Sequence, residues 1–403
     1  MRILFLSLRC PFPPHRGDSI RNYNFIKYLA KDHAVTVVSF AESQQEFDNI
    51  AELASFCERA ELIPFSRLQA RRNCVFNFFS KDPLQIHYWR STKMQRAIDN
   101  LLQQMDFDLV HAHLFRMGQY VADYKEVPKM LDLCDSMALN LNRRIEIDHG
   151  AILPLLKIEQ KRTRDYEIGI ARIFDHNTVV AKPDYDYLLE QNAELSLSII
   201  PVGVDPDYFQ PCSIEDEGLN LLFTGTMNYF PNYDAAIYFH NEIWPLIIAK
   251  HPDVTFSIVG NNPTDQVKRL AGNNVTVTGY VPDTRAYFNK ATVFISPMRS
   301  GSGLQVKHLE AMAMGIPIVT TTIGSLGIEA IENQDLLVAD TPNNFANHVN
   351  MLLDDRELRR SIGNSGRKLI EEKYNWQILG KKLNDIYSKI KKGKHVEDTN
   401  QIN

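Results

Sequence analysis

"RSGSGLQVKHLEAMAMGIPIV", residues 299–319, sets two glycines and two serines ahead of an amphipathic run, and closes on Gly-x-Pro and a β-branched stretch. The spacing predicts a flexible turn, a helix opening near Gly303, and a buried strand after Pro317. The first amide hydrogens of a helix have no partner within it, so such a turn is a natural anion site. Lys307 and Glu310 stand at i and i+3, on one face of that helix. The stretch therefore reads as one unit of an α/β domain with a phosphate-bearing ligand at its helix head.

The same rhythm runs outward in both directions. In the first half, "RILFLSL", "AVTVVSF", "FDLVHAHL", "PKMLDLC" and "DHNTVVA" are short apolar strands, with a helical pattern "SIRNYNFIKYLAKDH" after the first. In the second half, "LNLLFTGT", "VTFSIVG", "VTVTGYV", "ATVFISPM", "IPIVTTT" and "DLLVAD" alternate with patterns such as "DAAIYFHNEIWPLIIAKH" and "TDQVKRLAG". Continuous apolar strands suit a parallel sheet covered on both faces. The expected fold class is α/β, with two doubly wound Rossmann-like domains facing across a cleft. The boundaries read as 1–199 for the first domain, 200–218 for a Pro-, Gly- and Asp-rich linker, and 219–374 for the second. A final helix of about 375–392 is expected to pack back on the first domain, ahead of a polar, disordered tail at 393–403.

Composition fits this picture. A chain of 403 residues exceeds the size at which single cores stop growing. A net charge of −5 gives no reason to expect nucleic acid as a partner. Five scattered cysteines without a C-x-x-C read as reduced thiols in a cytoplasmic protein. "MRILFLSLRC" is too short an apolar run for a signal peptide, and no stretch is long enough to span a membrane.

Six segments in order carry a resemblance: the N-terminal strand and glycine loop, "DLVHAH", "IPVGVDPDYFQP", "FTGTMNYFPNYDA", "VTGYVPDTRAYF" and "GLQVKHLEAMAMGIPIVTTTIGSLGIEA". Together they resemble GT-B glycosyltransferases of family 4, over nearly the whole chain. The nearest likeness is to sugar transferases of exopolysaccharide and exosortase (PEP-CTERM) gene clusters. The resemblance implies a retaining transferase (EC 2.4 class) that takes a nucleotide diphosphate sugar, with no cofactor and no metal. Glu310 would bind the donor ribose, since a carboxylate can accept from both hydroxyls, and Lys307 would meet a phosphate as a point charge. The catalytic set is then His113, Glu310 and Lys307, with His113 beside the donor sugar. Gly17, Gly225, Val281, Arg299, Ser302, Gly303 and Leu304 are the donor-binding set. The first domain would hold the acceptor.

The chain departs from the commoner pattern of that family at two places. Ser302 stands where many members carry a first Glu, and Gly225-Thr226-Met227-Asn228 lacks the usual Arg and Lys, leaving Arg299 and Lys307 as candidate cations for the diphosphate. These losses keep open a catalytically silent nucleotide-sugar-binding protein. A nucleotide-sugar epimerase on the same fold is the other alternative.

Other signals divide between functional and structural readings. His111 and His113 alternate about Ala112 and so share a face; the readings are sugar contact, a satisfied structural histidine, or a metal ligand. The triplets Asp106–Asp108, Asp184–Asp186 and Asp205–Asp207 read as structural, and Gly17 within "RGDS" suits a loop approaching a ligand, with Arg21 facing the cleft. Residues 67–96 carry seven Lys or Arg against one Asp, interleaved with Phe76, Phe78, Phe79, Tyr88 and Trp89. That stretch is either core with a solvated rim or an interfacial face for anionic lipid. The second reading implies a lipid-linked saccharide acceptor and peripheral contact with the inner face of the cell membrane.

Overall fold

A computed structural model describes the chain except residues 15–16, 148–149, 151, 212–217, 302–303 and 402–403, and except the side chains of 147 and 394–401. It divides into two units, Met1–Pro201 with Leu379–Asn403, and Val202–Ile378.

The first unit is built on a seven-stranded parallel sheet. Its strands are β1 (Arg2–Ser7), β2 (Ala34–Ala41), β3 (Arg59–Pro64), β4 (Leu109–His113), β5 (Lys129–Cys134), β6 (His176–Val179) and β7 (Leu197–Ile199). The spatial order is β3-β2-β1-β4-β5-β6-β7, so the chain reverses its direction of travel between β1 and β4. Ile3 to Leu6 are wholly buried, as expected for a strand with helices on both faces. The expected strands all form, and two unexpected ones, β3 and β7, join at the sheet edges. The helix Trp376–Gln401 packs on this unit: Tyr387 meets His111, Asn384 meets His33 at 2.8 Å, and Lys391 pairs with Asp108 at 2.7 Å. Gly380 permits that approach, because a Cβ there would sit 2.4 Å from the Tyr28 ring. The backbone stays helical to Gln401, past residue 393, where the polar composition predicted disorder.

The second unit holds β8 (Asn220–Thr224), β9 (Thr255–Val259), β10 (Val275–Val277), β11 (Val293–Ser296), β12 (Ile318–Thr320) and β13 (Leu337–Val338), in the order β10-β9-β8-β11-β12-β13. Every pairing is parallel, and the reversal falls between β8 and β11. The long helical pattern at 234–251 forms as Phe230–Tyr238, a π-type turn Phe239–Ile243, and Trp244–Ile248. Pro245, without an amide hydrogen, interrupts the regular ladder there. Among the described residues, no helix is long and apolar enough to cross a membrane.

Candidate active site

In open parallel sheets, ligands bind outside the carboxyl ends of the strands where the strand order reverses. In the second unit that place is lined by the loops after β8 and β11. The β8 loop is fixed by backbone bonds from Gly225 and Met227 to Val259 and Asn261. Gly260 and Gly225 cross closely, since a Cβ on Gly260 would lie 1.7 Å from the Gly225 carbonyl oxygen.

The helix of the opening stretch runs Val306–Ala313, three residues later than its glycine turn suggested. Lys307 is therefore in its first turn. It is buried, and its Nζ donates to Asn232 Oδ1 at 2.9 Å and to Met298 Sδ at 3.5 Å, over the Phe223 ring at 4.3 Å. Asn232 leads from the β8 loop and donates to Thr226 O, while Met298 follows β11. One ammonium thus ties together both loops of the reversal point, with no carboxylate in direct contact among the described residues. Burial pulls it down to about 7, against some support from Glu310. Glu310, one turn on and half-buried, is pushed up to about 7 by burial, with Lys307 opposing.

The remaining donor-set residues fall as follows. Ser302 and Gly303 lie outside the described residues. Leu304 and Val281 are half-buried and pack against the cluster that includes Leu309 and Phe288. Arg299 is exposed, but its guanidinium is bound to Asp234 (Nε to Oδ2 3.0 Å) and lies over the Tyr238 ring at 4.6 Å. Its charge is already matched, so it is not the free cation the sequence suggested.

In the first unit the reversal lies between β1 and β4. Gly17 opens the helix Gly17–Leu29 and is exposed. His113 ends β4 and is fully buried, with Nδ1 2.9 Å from Asn22 Nδ2 and Nε2 3.3 Å from Cys134 Sγ. Burial lowers it to about 4, so the ring is neutral. It accepts from the Asn22 amide and donates to the thiol. His111, stacked on Phe5 at 4.2 Å, is lowered by burial to about 3.

Beneath them lies an ion pair the sequence did not reveal. Arg21 donates to Asp132 through Nε at 2.7 Å and Nη2 at 3.2 Å, and to Pro201 O through Nη1 at 2.8 Å. Arg21 is 1% exposed and Asp132 is wholly buried, so Arg21 points into the sheet rather than toward a ligand. Burial favours the neutral acid at Asp132, but Arg21 overrides it and holds the carboxyl well below the usual range. His113, Asp132 and Cys134 place donor atoms within 4.8 Å of one another, the one such trio among the described residues. Its carboxylate already takes Arg21, Thr178 Oγ1 at 3.0 Å and Cys134 N at 3.3 Å. A cation there would have to displace the guanidinium, so the trio fits a metal poorly. The three Asp triplets are likewise engaged: Asp108 with Lys391, Asp184 with Ser136 N, Asp186 with Lys182, and Asp205 with the amides of Asp207 and Tyr208.

The comparisons with known proteins bear on the second unit and on the fold. Residues 218–355 match the family model described as glycosyl transferases group 1. The chain is 26% identical over 165 residues to the capsular polysaccharide biosynthesis glycosyltransferase CapM of Staphylococcus aureus, covering 38% of this chain and 43% of that one. It is 29% identical over 212 residues to a GDP-mannose-dependent phosphatidylinositol monomannoside mannosyltransferase of Corynebacterium glutamicum, covering 46% and 55%. The matched stretch thus spans about half the length of these curated relatives. Among solved structures, HepE of Anabaena, bound to UDP, superposes with a TM-score of 0.70 at 13% identity, over 96% of this chain and 100% of that one. Sucrose-phosphate synthase of Thermosynechococcus elongatus does so with 0.69 at 16%, over 97% and 99%. The fold is that of the GT-B glycosyltransferases.

Proposed function

Taking residues 218–355 as a group 1 glycosyl transferase domain, we propose that this protein moves a sugar from a nucleotide diphosphate sugar to an acceptor hydroxyl, with retention at the anomeric carbon. The observation that carries the reading is Lys307, a buried cation with neutral partners at the carboxyl-end reversal of the second sheet. A diphosphate supplies the counter-charge that this site lacks. Lys307 and the amides at the helix head stabilise the departing diphosphate without a metal. Glu310 accepts from the ribose hydroxyls, and Val281 lies near the base. As the bond from the sugar to the diphosphate breaks, the acceptor oxygen bonds to the same face of the anomeric carbon. Its proton passes to the leaving phosphate. His113, with both ring nitrogens engaged, acts in this scheme as a positioning residue for the end of β4.

We assign the acceptor to the Met1–Pro201 unit and the pathway to exopolysaccharide or glycolipid synthesis of the exosortase-associated type, in family 4. The capsular relative supports this pathway. The setting is cytoplasmic, with the protein peripheral on the inner face of the membrane. The helix Arg67–Phe76 supports that setting: Leu68 and Val75 are each 73% exposed, Phe76 79% and the following Phe79 93%, beside Arg71 and Arg72. Trp89 is core instead, stacked on Phe65 at 4.4 Å.

A panel of nucleotide sugars tested by thermal stabilisation, with uridine diphosphate first, checks the donor class. A ligand at 100 times its dissociation constant adds about 2.7 kcal/mol. Stabilisation by a nucleotide sugar, followed by product of unchanged anomeric configuration, supports the reading. Binding without transfer points to the silent protein, turnover of the donor alone to an epimerase, and no stabilisation by any donor refutes it.

A further inference from the structure

The carboxyl-end reversal of the first sheet holds a cation that the transferase reading has not used. Arg116 lies three residues beyond β4, in the short helix Phe115–Gly118 that follows His113. Its Nε is buried without a hydrogen-bond partner, and no ion pair is formed by its guanidinium among the described residues. Arg9 lies two residues beyond β1, on the other strand of the reversal. Arg9 is committed: Nη1 meets Asp18 Oδ2 at 2.7 Å, and Nε stands 3.7 Å from Glu42. Asp18 and Glu167 are the carboxylates that favour charge on Arg116, yet both are engaged elsewhere. Asp18 accepts from Arg9 and from Ser19 N, while Glu167 accepts from Ser136 Oγ, Met137 N and Ala138 N. Burial, then repulsion from Arg9, lowers Arg116 to about 10, still charged at neutral pH.

The backbone at this edge is also unusual. Leu114 (φ 70°) and Cys134 (φ 62°), which end or follow the adjacent strands β4 and β5, both occupy the left-handed region without being glycine. Such conformations cost about 1–3 kcal/mol each and collect at ligand sites. The Leu114 turn is what carries the chain from His113 to Arg116.

We propose that Arg116, flanked by Arg9, is the phosphate-recognition residue of an acceptor subsite in the first unit, so that the acceptor carries a phosphate group. The proposal rests on the transferase reading only in giving that phosphate to the acceptor. A guanidinium presents a planar fork that matches phosphate bidentately. The phosphate could come from a lipid carrier or from a sugar phosphate, and the probes below separate the two.

The experiment uses the full chain saturated with uridine diphosphate and labels arginines with phenylglyoxal, reading Arg116 by peptide mass mapping. Inorganic phosphate is expected to protect Arg116. Farnesyl phosphate protecting better than glucose 1-phosphate would indicate a lipid carrier, and the reverse a sugar phosphate. Arg116→Gln should weaken phosphate binding by about ten- to a hundredfold, with Arg116→Lys intermediate. Protection by uridine diphosphate alone, by glucuronate but not phosphate, or by none of the probes overturns the proposal. Calorimetry of uridine diphosphate binding reports separately on the transferase reading.

Discussion

Lys307 makes the transferase reading quantitative through pH. In the free protein its ammonium, lowered by burial to about 7, is half neutral at that pH. A diphosphate beside it favours the charged form, so binding must draw in a proton. The charged fraction of the free protein falls from about one half at pH 7 to about one hundredth at pH 9 by simple titration. Affinity for uridine diphosphate should therefore fall about fiftyfold over that interval, or about 2 kcal/mol. Isothermal titration calorimetry at pH 7, 8 and 9, in buffers of differing ionisation enthalpy, reads both the affinity and the proton uptake. Lys307→Met provides the control, because a thioether takes up no proton and removes this component of the slope. The same affinity at pH 7 and pH 9 in the wild type, without proton uptake, would refute the placement of Lys307 at the phosphate.

The same shift has a cost in the empty protein. With the folded value below 10.5, the unfolded chain binds more protons between about 7 and 10.5, so stability rises with pH across that window. Lys307→Met should thus raise the unfolding free energy by a few kcal/mol at pH 6, and by progressively less toward pH 10, as denaturant titrations can show. Glu310→Ala should weaken donor binding about ten- to a hundredfold, the loss of a charged hydrogen bond; an unchanged dissociation constant in the folded variant removes Glu310 from the site. Asp132→Asn strands Arg21 in the interior and should cost about 3–5 kcal/mol of stability, whereas a loss below 1 kcal/mol would mean that the pair is not buried as described. Transfer should survive a strong chelator, and activity abolished by chelation and restored by manganese would overturn the metal-free scheme. Arg71→Glu with Arg72→Glu should weaken salt-sensitive co-sedimentation with anionic vesicles, and failure of the wild type to co-sediment at low salt removes the membrane face.

Strands buried on both faces announce themselves as apolar runs, which is why the central strands of each sheet were legible in the sequence. The edge strands were not. β3 reads "RAELIP", with charge at two of six positions, and β7 is three half-buried residues. The local spacing of Lys307 and Glu310 was equally plain, because it lies within one helix. Its depth was not, since the partner Asn232 is 75 residues away. Arg21 and Asp132 are 111 residues apart. A charge inside the apolar strand "KMLDLC" signals that a partner exists, without naming it. The aromatics of 67–96 divide for the same reason: the helix Leu84–Tyr88 leads Trp89 into the core, while Arg67–Phe76 leaves Phe76 outside. Composition cannot distinguish these two placements.

The choice of cation in each unit follows from what each must do. A guanidinium cannot shed its proton in a protein, so a buried arginine keeps its charge whatever surrounds it. Arg21 has its counter-charge in Asp132, and the pair serves the sheet of the first unit whether or not a ligand is present. An amine can give up its proton, so a lysine can be buried among neutral partners such as Asn232 and Met298 and still await its counter-ion. Exchanging the two would fail in both places. Lysine opposite Asp132 would lose the bidentate grip and the bond to Pro201 O, and arginine at 307 would carry an uncompensated charge in the empty protein. Under the proposed function, Lys307 is the group whose charge depends on occupancy, and Arg21 the group whose charge does not.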